Sequence, residues 1–245
     1  GEITFNDVES GTYTLQETGF LDDYLEDDTH YTVIIDQAGK VTIDGLTAEN
    51  DGSFLIQNTP RVHGSLYISK KGTQDNSKVL VSLTGAVFKL YGTSDYGNEV
   101  LRYAQSNKGD LAFENLEKGT YSLVETKAPD GYILPKNTKY TVVCDDNGNV
   151  GIQESKMDTN GRYVITNEPY HVLTILKESD FDKTALEGAE FNLKGTSDYG
   201  TEVDITEVSG ENGLLSFTKL GPGTYILTET KAPEGYRADA TKRAA

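Results

Sequence analysis

The hexapeptide GTSDYG stands at residues 92–97 and again at 195–200, and LTGAVFKL at 83–90 is answered at the same interval by LEGAEFNL at 186–193. Two further pairs keep nearly that spacing: YTVIIDQAGKVTI at 31–43 with YTVVCDDNGNVGI at 140–152, and FLIQNTP at 54–60 with YVITNEP at 163–169. A period of about a hundred residues makes each repeat a domain in size, not a solenoid unit. Aligned on that period, residues 61–169 are expected to form one complete domain, 1–60 the C-terminal part of a second and 170–245 the N-terminal part of a third. The chain then reads as cut from a longer array.

Within each repeat, short runs of alternating apolar and polar residues are separated by turn signals such as SNKGD, APDG, DNGN and GPG, and no run has helical periodicity. The pattern predicts all-β sandwiches in tandem. The segments NTPRVHG and NEPYHV are short and marked by proline, so they restrict motion between domains more than a Gly/Ser tether would. A net charge of -17 opposes nucleic acid and anionic membrane surfaces as partners. No apolar run of membrane-spanning length and no charged-then-apolar leader occurs, so neither membrane insertion nor a signal peptide is expected within this segment.

The alternation places one polar residue on the inner face of each of three strand types. In GTYSLVET, Tyr121, Leu123 and Glu125 share a face; GTYILTET repeats this with Tyr225, Leu227 and Glu229, and GTYTLQET with Tyr13, Leu15 and Glu17. The strand SLYISK turns Leu66, Ile68 and Lys70 to one side, and VLTILK does so with Leu173, Ile175 and Lys177. YVITN and FLIQN turn Asn167 and Asn58 inward behind Ile165 and Ile56. An ionised carboxylate is seldom buried alone, because its desolvation costs several kcal/mol.

Two readings follow. One is a buried ion pair capped by an amide. In the other, burial lowers the lysine pKa and raises that of the glutamate, giving a neutral amine beside a protonated acid. Such an amine can attack the asparagine carboxamide while the acid polarises its oxygen and carries protons to the departing ammonia.

At these residues the sequence resembles the CnaB-type repeats, also called SpaA-like or prealbumin-like domains, of Gram-positive surface adhesins and pilins. The resemblance rests on Lys70 followed by LTGAVFKL, then DLAFENLEKGTYSLVETKAPDGY, then YVITNEP, and it covers essentially the whole chain. It implies tandem Ig-like sandwiches and a spontaneous Lys-Asn isopeptide bond between Lys70 and Asn167, assisted by Glu125. Glu229 and Glu17 would be the equivalent carboxyls of the partial domains, with Lys177 and Asn58 lacking partners. The adjacent Lys71 alternates outward and is the disfavoured nucleophile. The resemblance further implies a structural stalk segment on the cell surface or wall, with neighbouring repeats as partners, no cofactor or metal, and no enzymatic turnover beyond a single self-crosslinking event.

The alternative function is a ligand-binding adhesin module in which the GTSDYG loops, through Tyr96 and Tyr199, contact a host glycan or matrix protein. Duplication accounts for the loop identity equally well. ILPKN at 133–137 resembles a pilin motif whose Lys136 would be a sortase substrate, although an ordinary loop is expected there, and no LPxTG-like sorting signal occurs. DDNGN at 145–149 lacks the glycine and glutamate spacing of an EF-hand and reads as a hairpin turn. Cys144, the sole cysteine, reads as a small apolar strand residue that forms no internal disulfide, and His30, His63 and His171 are too scattered for a metal or catalytic cluster.

Overall fold

The computed structural model describes residues 1–74, 79–136, 138–238 and 243–244. Every regular element among them is a strand. Two compact units divide the chain, Gly1–Val62 and His63–Ala245.

In the first unit, β1 (Gly11–Leu15), β2 (Tyr31–Ile35) and β3 (Val41–Ile43) form an antiparallel sheet in that order, with Tyr13 opposite Val33 and Val33 opposite Ile43. The residues that follow turn at 44–45 and 50–52 and pair at isolated bridges, Phe54 with Ala48 and Pro60 with Tyr24.

The second unit opens with β4 (His63–Thr73), β5 (Leu80–Ser82), β6 (Val87–Ser94), β7 (Glu99–Gln105), β8 (Asp110–Glu117), β9 (Gly119–Lys127), β10 (Lys139–Cys144), β11 (Val150–Ile152) and β12 (Tyr163–Asn167). One sheet has the order β11-β10-β9-β6-β7; the other runs β12-β4-β5, with β8 also paired to β4. Their inner faces share one core, in which Leu66 and Ile68 of β4 meet Phe88 and Leu90 of β6, Leu123 of β9 and Val142 of β10, all fully buried. Burying each such side chain is worth about 1.5–3 kcal/mol, which is what holds the two sheets face to face.

The pairing of β12 with β4 is parallel, Ile165 opposite Lys70 and Asn167 opposite Gly72. The first and last strands of this sandwich therefore lie side by side. Gly72 permits the approach, since a Cβ there would stand 2.7 Å from the carbonyl oxygen of Asn167 and 2.6 Å from the Tyr132 ring.

A second set of strands follows: β13 (His171–Leu176), β14 (Glu190–Ser197), β15 (Glu202–Val208), β16 (Leu214–Leu220), β17 (Gly223–Lys231) and β18 (Arg243–Ala244). β13 pairs with β16, and a four-stranded sheet runs β15-β14-β17-β18. Leu193, Leu215, Phe217 and Tyr225 form its own core. The tyrosines of the repeated GTY strands lock the preceding turns in the same way, Tyr121 donating to the Glu117 carbonyl and Tyr225 to that of Gly221, both at 2.7 Å.

Candidate functional site

Lys70, Glu125 and Asn167 reach the core from three strands. β4 and β12 bring Lys70 and Asn167 from one sheet; β9 brings Glu125 from the facing sheet, where it lies opposite Phe88. Lys70 is 0% exposed, Glu125 7% and Asn167 3%. The Lys70 Nζ donates to the carbonyls of Ile165, at 3.2 Å, and Lys71, at 3.3 Å. Asn167 Nδ2 donates to the Ile133 carbonyl at 2.7 Å. Glu125 Oε1 and Asn167 Oδ1 are buried without a hydrogen-bond partner among the described residues, a costly condition in a finished core.

Electrostatics push both ionisable groups toward their neutral forms. Burial lowers the Lys70 pKa from 10.5 to about 8, with the nearby Glu125 carboxylate opposing the shift. Burial raises the Glu125 pKa, against the pull of the Lys70 charge and a hydrogen bond from Asn167. Both shifts run toward the neutral amine and the protonated acid, the forms in which such a pair beside a carboxamide is suited to amide exchange. Lys71, by contrast, turns outward, its Nζ 3.9 Å from Asp158.

The two partial sets differ. In the first unit Asn58 Nδ2 donates to both carboxylate oxygens of Glu17, at 3.0 and 2.9 Å. In the second, Lys177 and Glu229 form an ion pair of 3.0 Å in which the lysine side chain remains 23% exposed and the glutamate 2%.

The SpaA family of prealbumin-like fold domains matches residues 1–49, 64–167 and 171–244. The chain belongs to this family. A search of curated proteins finds no match. Among solved structures, this SpaA-family chain is similar to the Bacillus anthracis TIE protein at 24% identity, over 98% of this chain and 41% of that one, with a TM-score of 0.37. It is similar to a streptococcal ancillary pilin at 17% identity, over 97% and 71%, with a TM-score of 0.40. The shaft pilin SpaA from Lactobacillus rhamnosus GG gives 16% identity over 74% and 92%, with a TM-score of 0.39. The chain thus spans less than half of the Bacillus anthracis protein.

One further side chain and one backbone carbonyl of this SpaA-family chain lie beside the site. Tyr140 is close enough to Glu125 for that carboxylate to add to the rise that burial gives its hydroxyl pKa. The loop after β9 supplies the Ile133 carbonyl, which is held in turn because Ile133 N–H donates to the Glu168 carbonyl at 2.9 Å. The only signal for Tyr140 was its inward alternation with Val142; a loop carbonyl gives none.

Tyr96 and Tyr199 of the two GTSDYG turns are both half-buried. Cys144 is 2% exposed and its thiol donates to the Leu116 carbonyl. DDNGN forms the β10–β11 turn, where the Asp145 carboxylate accepts from the N–H groups of Asn147 and Asn149. Lys136 is exposed and donates to the Gly200 carbonyl at 2.7 Å, whereas Asn137 of ILPKN lies outside the described residues. His63 lies 4.0 Å from Glu117 and His30 bonds the Asp28 carbonyl, while His171 pairs with Leu220 at the start of β13. No helix of the described residues is long and apolar enough to cross a membrane.

Proposed function

We propose that this chain is a load-bearing stalk segment of a bacterial surface adhesin or pilus, built from SpaA-type domains at 61–169 and, in part, at 1–60 and 170–245. Its complete domain is closed by a bond between Lys70 and Asn167. The neutral Lys70 amine attacks Asn167 Cγ, Glu125 carries the proton from the attacking to the departing nitrogen, the Cγ–Nδ2 bond breaks, and ammonia leaves. One amide forms, no oxidant is needed, and the site is spent. Neighbouring repeats or subunits are the expected partners, at the outer cell surface.

The observation that carries this reading is the fully buried Lys70 facing the buried Glu125, with Asn167 seated on the parallel neighbour of the lysine strand. Parallel first and last strands are pulled in opposite directions when the sandwich is loaded through its ends. A bond between residues 70 and 167 carries that load past the roughly one hundred residues in between. Pulling between residues 63 and 167 in a single-molecule force experiment tests the role. The closed domain yields no unfolding step, whereas Asn167→Ala extends by on the order of 300 Å as the intervening chain straightens. An equal extension in both overturns the reading.

A further inference from the structure

Ile133 is 3% exposed, yet it lies outside both hydrophobic cores of the His63–Ala245 unit. It sits where the loop after β9 meets the strands β13–β17, its Cδ1 3.5 Å from the place a Cβ on Gly221 would occupy. Three residues on, Lys136 reaches the same strands, its Nζ donating to the Gly200 carbonyl at 2.7 Å. A third contact lies beside these: burial raises the Tyr199 hydroxyl pKa, and the nearby Glu168 carboxylate adds to the rise. We infer that residues 131–136 form a strut from the β13–β17 strands to the crosslink site, and that Lys136 is a positioning residue that sets Asn167 for its reaction with Lys70.

The near end of the strut closes on Asn167. Ile133 brackets that residue with both its backbone groups, its N–H donating to the Glu168 carbonyl at 2.9 Å and its carbonyl accepting from Asn167 Nδ2 at 2.7 Å. The loop is pinned on either side of this contact, where Tyr170 N–H donates to the Gly131 carbonyl and the Tyr132 hydroxyl to the Thr73 carbonyl at the end of β4, both at 3.0 Å. A carboxamide is planar, so anchoring its nitrogen fixes Cγ and Oδ1 as well. Oδ1 is left buried without a hydrogen-bond partner among the described residues, open to the proton that Glu125 carries.

The far end is held by its own turn. Gly200 has φ 76°, in the left-handed region that glycine favours, and the turn is closed by Gly200 N–H on the Ser197 carbonyl at 2.8 Å and Ser197 N–H on the Thr201 carbonyl at 2.9 Å. Asp198 N–H donates to the Pro222 carbonyl at 2.8 Å, which ties the turn to the loop carrying Gly221. The Gly200 carbonyl is therefore a fixed acceptor, and the charged Lys136 donor gives it one of the stronger kinds of hydrogen bond.

The role rests on the Lys70–Asn167 reading, in which the donors at the site fall as the bond forms. Before reaction, Lys70 Nζ serves the Ile165 and Lys71 carbonyls and Asn167 Nδ2 that of Ile133. The new amide keeps a single N–H and Nδ2 leaves as ammonia, so two of the three carbonyls lose their donor. The Ile133 contact is made to the leaving nitrogen itself and belongs to the unreacted site, where it orients the carboxamide. The consequence is an order of events: the domain at 61–169 closes its bond fastest once the strands after it have folded against the strut.

Loss of ammonia from the full chain, followed by intact mass after cell-free synthesis, tests this. Lys136→Ala is expected to slow it by about fivefold, the worth of one hydrogen bond. Tyr199→Ala, on the far side of the junction, slows it in the same way, and Lys136→Arg restores the wild-type rate. Each variant ends one ammonia below its own sequence mass. An unchanged rate in Lys136→Ala overturns the positioning role and leaves the Lys70–Asn167 reading intact, whereas wild-type chain that stays at full sequence mass overturns both. Slowing that Tyr199→Ala does not share overturns the link to the β13–β17 strands, and slowing that Lys136→Arg does not relieve overturns the hydrogen bond to Gly200 as its cause.

Discussion

The Nζ of Lys70 lies 3.2 Å from the carbonyl oxygen of Ile165, its register partner on the parallel strand β12. The Lys70 amine is thus held against the strand that carries Asn167, two residues on. Carbonyl contacts favour the ammonium form, so the proton has to be passed to Glu125 before attack.

In the proposed reaction one proton is shared between Lys70 and Glu125, which sets the pH dependence expected of it. Above the lysine pKa of about 8 both groups lose their protons and the acid is gone. Below the Glu125 pKa, raised above 4.5 by burial, both are protonated and the nucleophile is gone. Bond formation, followed by intact mass after cell-free synthesis and transfer to each pH, is expected to be flat between these limits and to fall about tenfold per unit outside them. A rate that keeps climbing past pH 9 contradicts a proton shared with Glu125.

Asn167→Ala removes the proposed bond while leaving the strand. Closing a loop of this length is worth about 4 to 5 kcal/mol if the disulfide loop-entropy relation carries over. The melting temperature of the variant, measured by calorimetry, is expected to drop by about 20 °C or more.

Gly72→Ala tests the packing that brings the two strands together. The new methyl group meets the Asn167 carbonyl and the Tyr132 ring. Bond formation, read as the fraction lighter by one ammonia, is expected to slow at least tenfold, while Gly97→Ala, which strains a left-handed turn at φ 85° but whose Cβ meets nothing within 4 Å, leaves it complete. Both glycines lie in the same domain, so a general loss of folding is distinguishable from a displaced Asn167.

Period-two alternation made Lys70, Glu125 and Asn167 legible from sequence, because in a strand it fixes which side chains face the core. The same rule exposed the partial pairs Glu17 with Asn58 and Lys177 with Glu229. It was silent wherever the backbone is irregular. The Ile133 carbonyl that holds Asn167 lies in a loop, and no pattern of residue types announces a carbonyl. The parallel neighbourhood of β4 and β12 is a non-local fact; the sequence placed lysine and asparagine at the two ends of a repeat, and the sheet order puts those ends side by side.

The central claim is a covalent bond, and the mass of the purified chain tests it most directly. The account predicts an intact mass one ammonia below the sequence value and a branched tryptic peptide joining Lys70 to Asn167, with Glu125→Ala folded but at full mass. The full sequence mass in folded wild-type protein would contradict it.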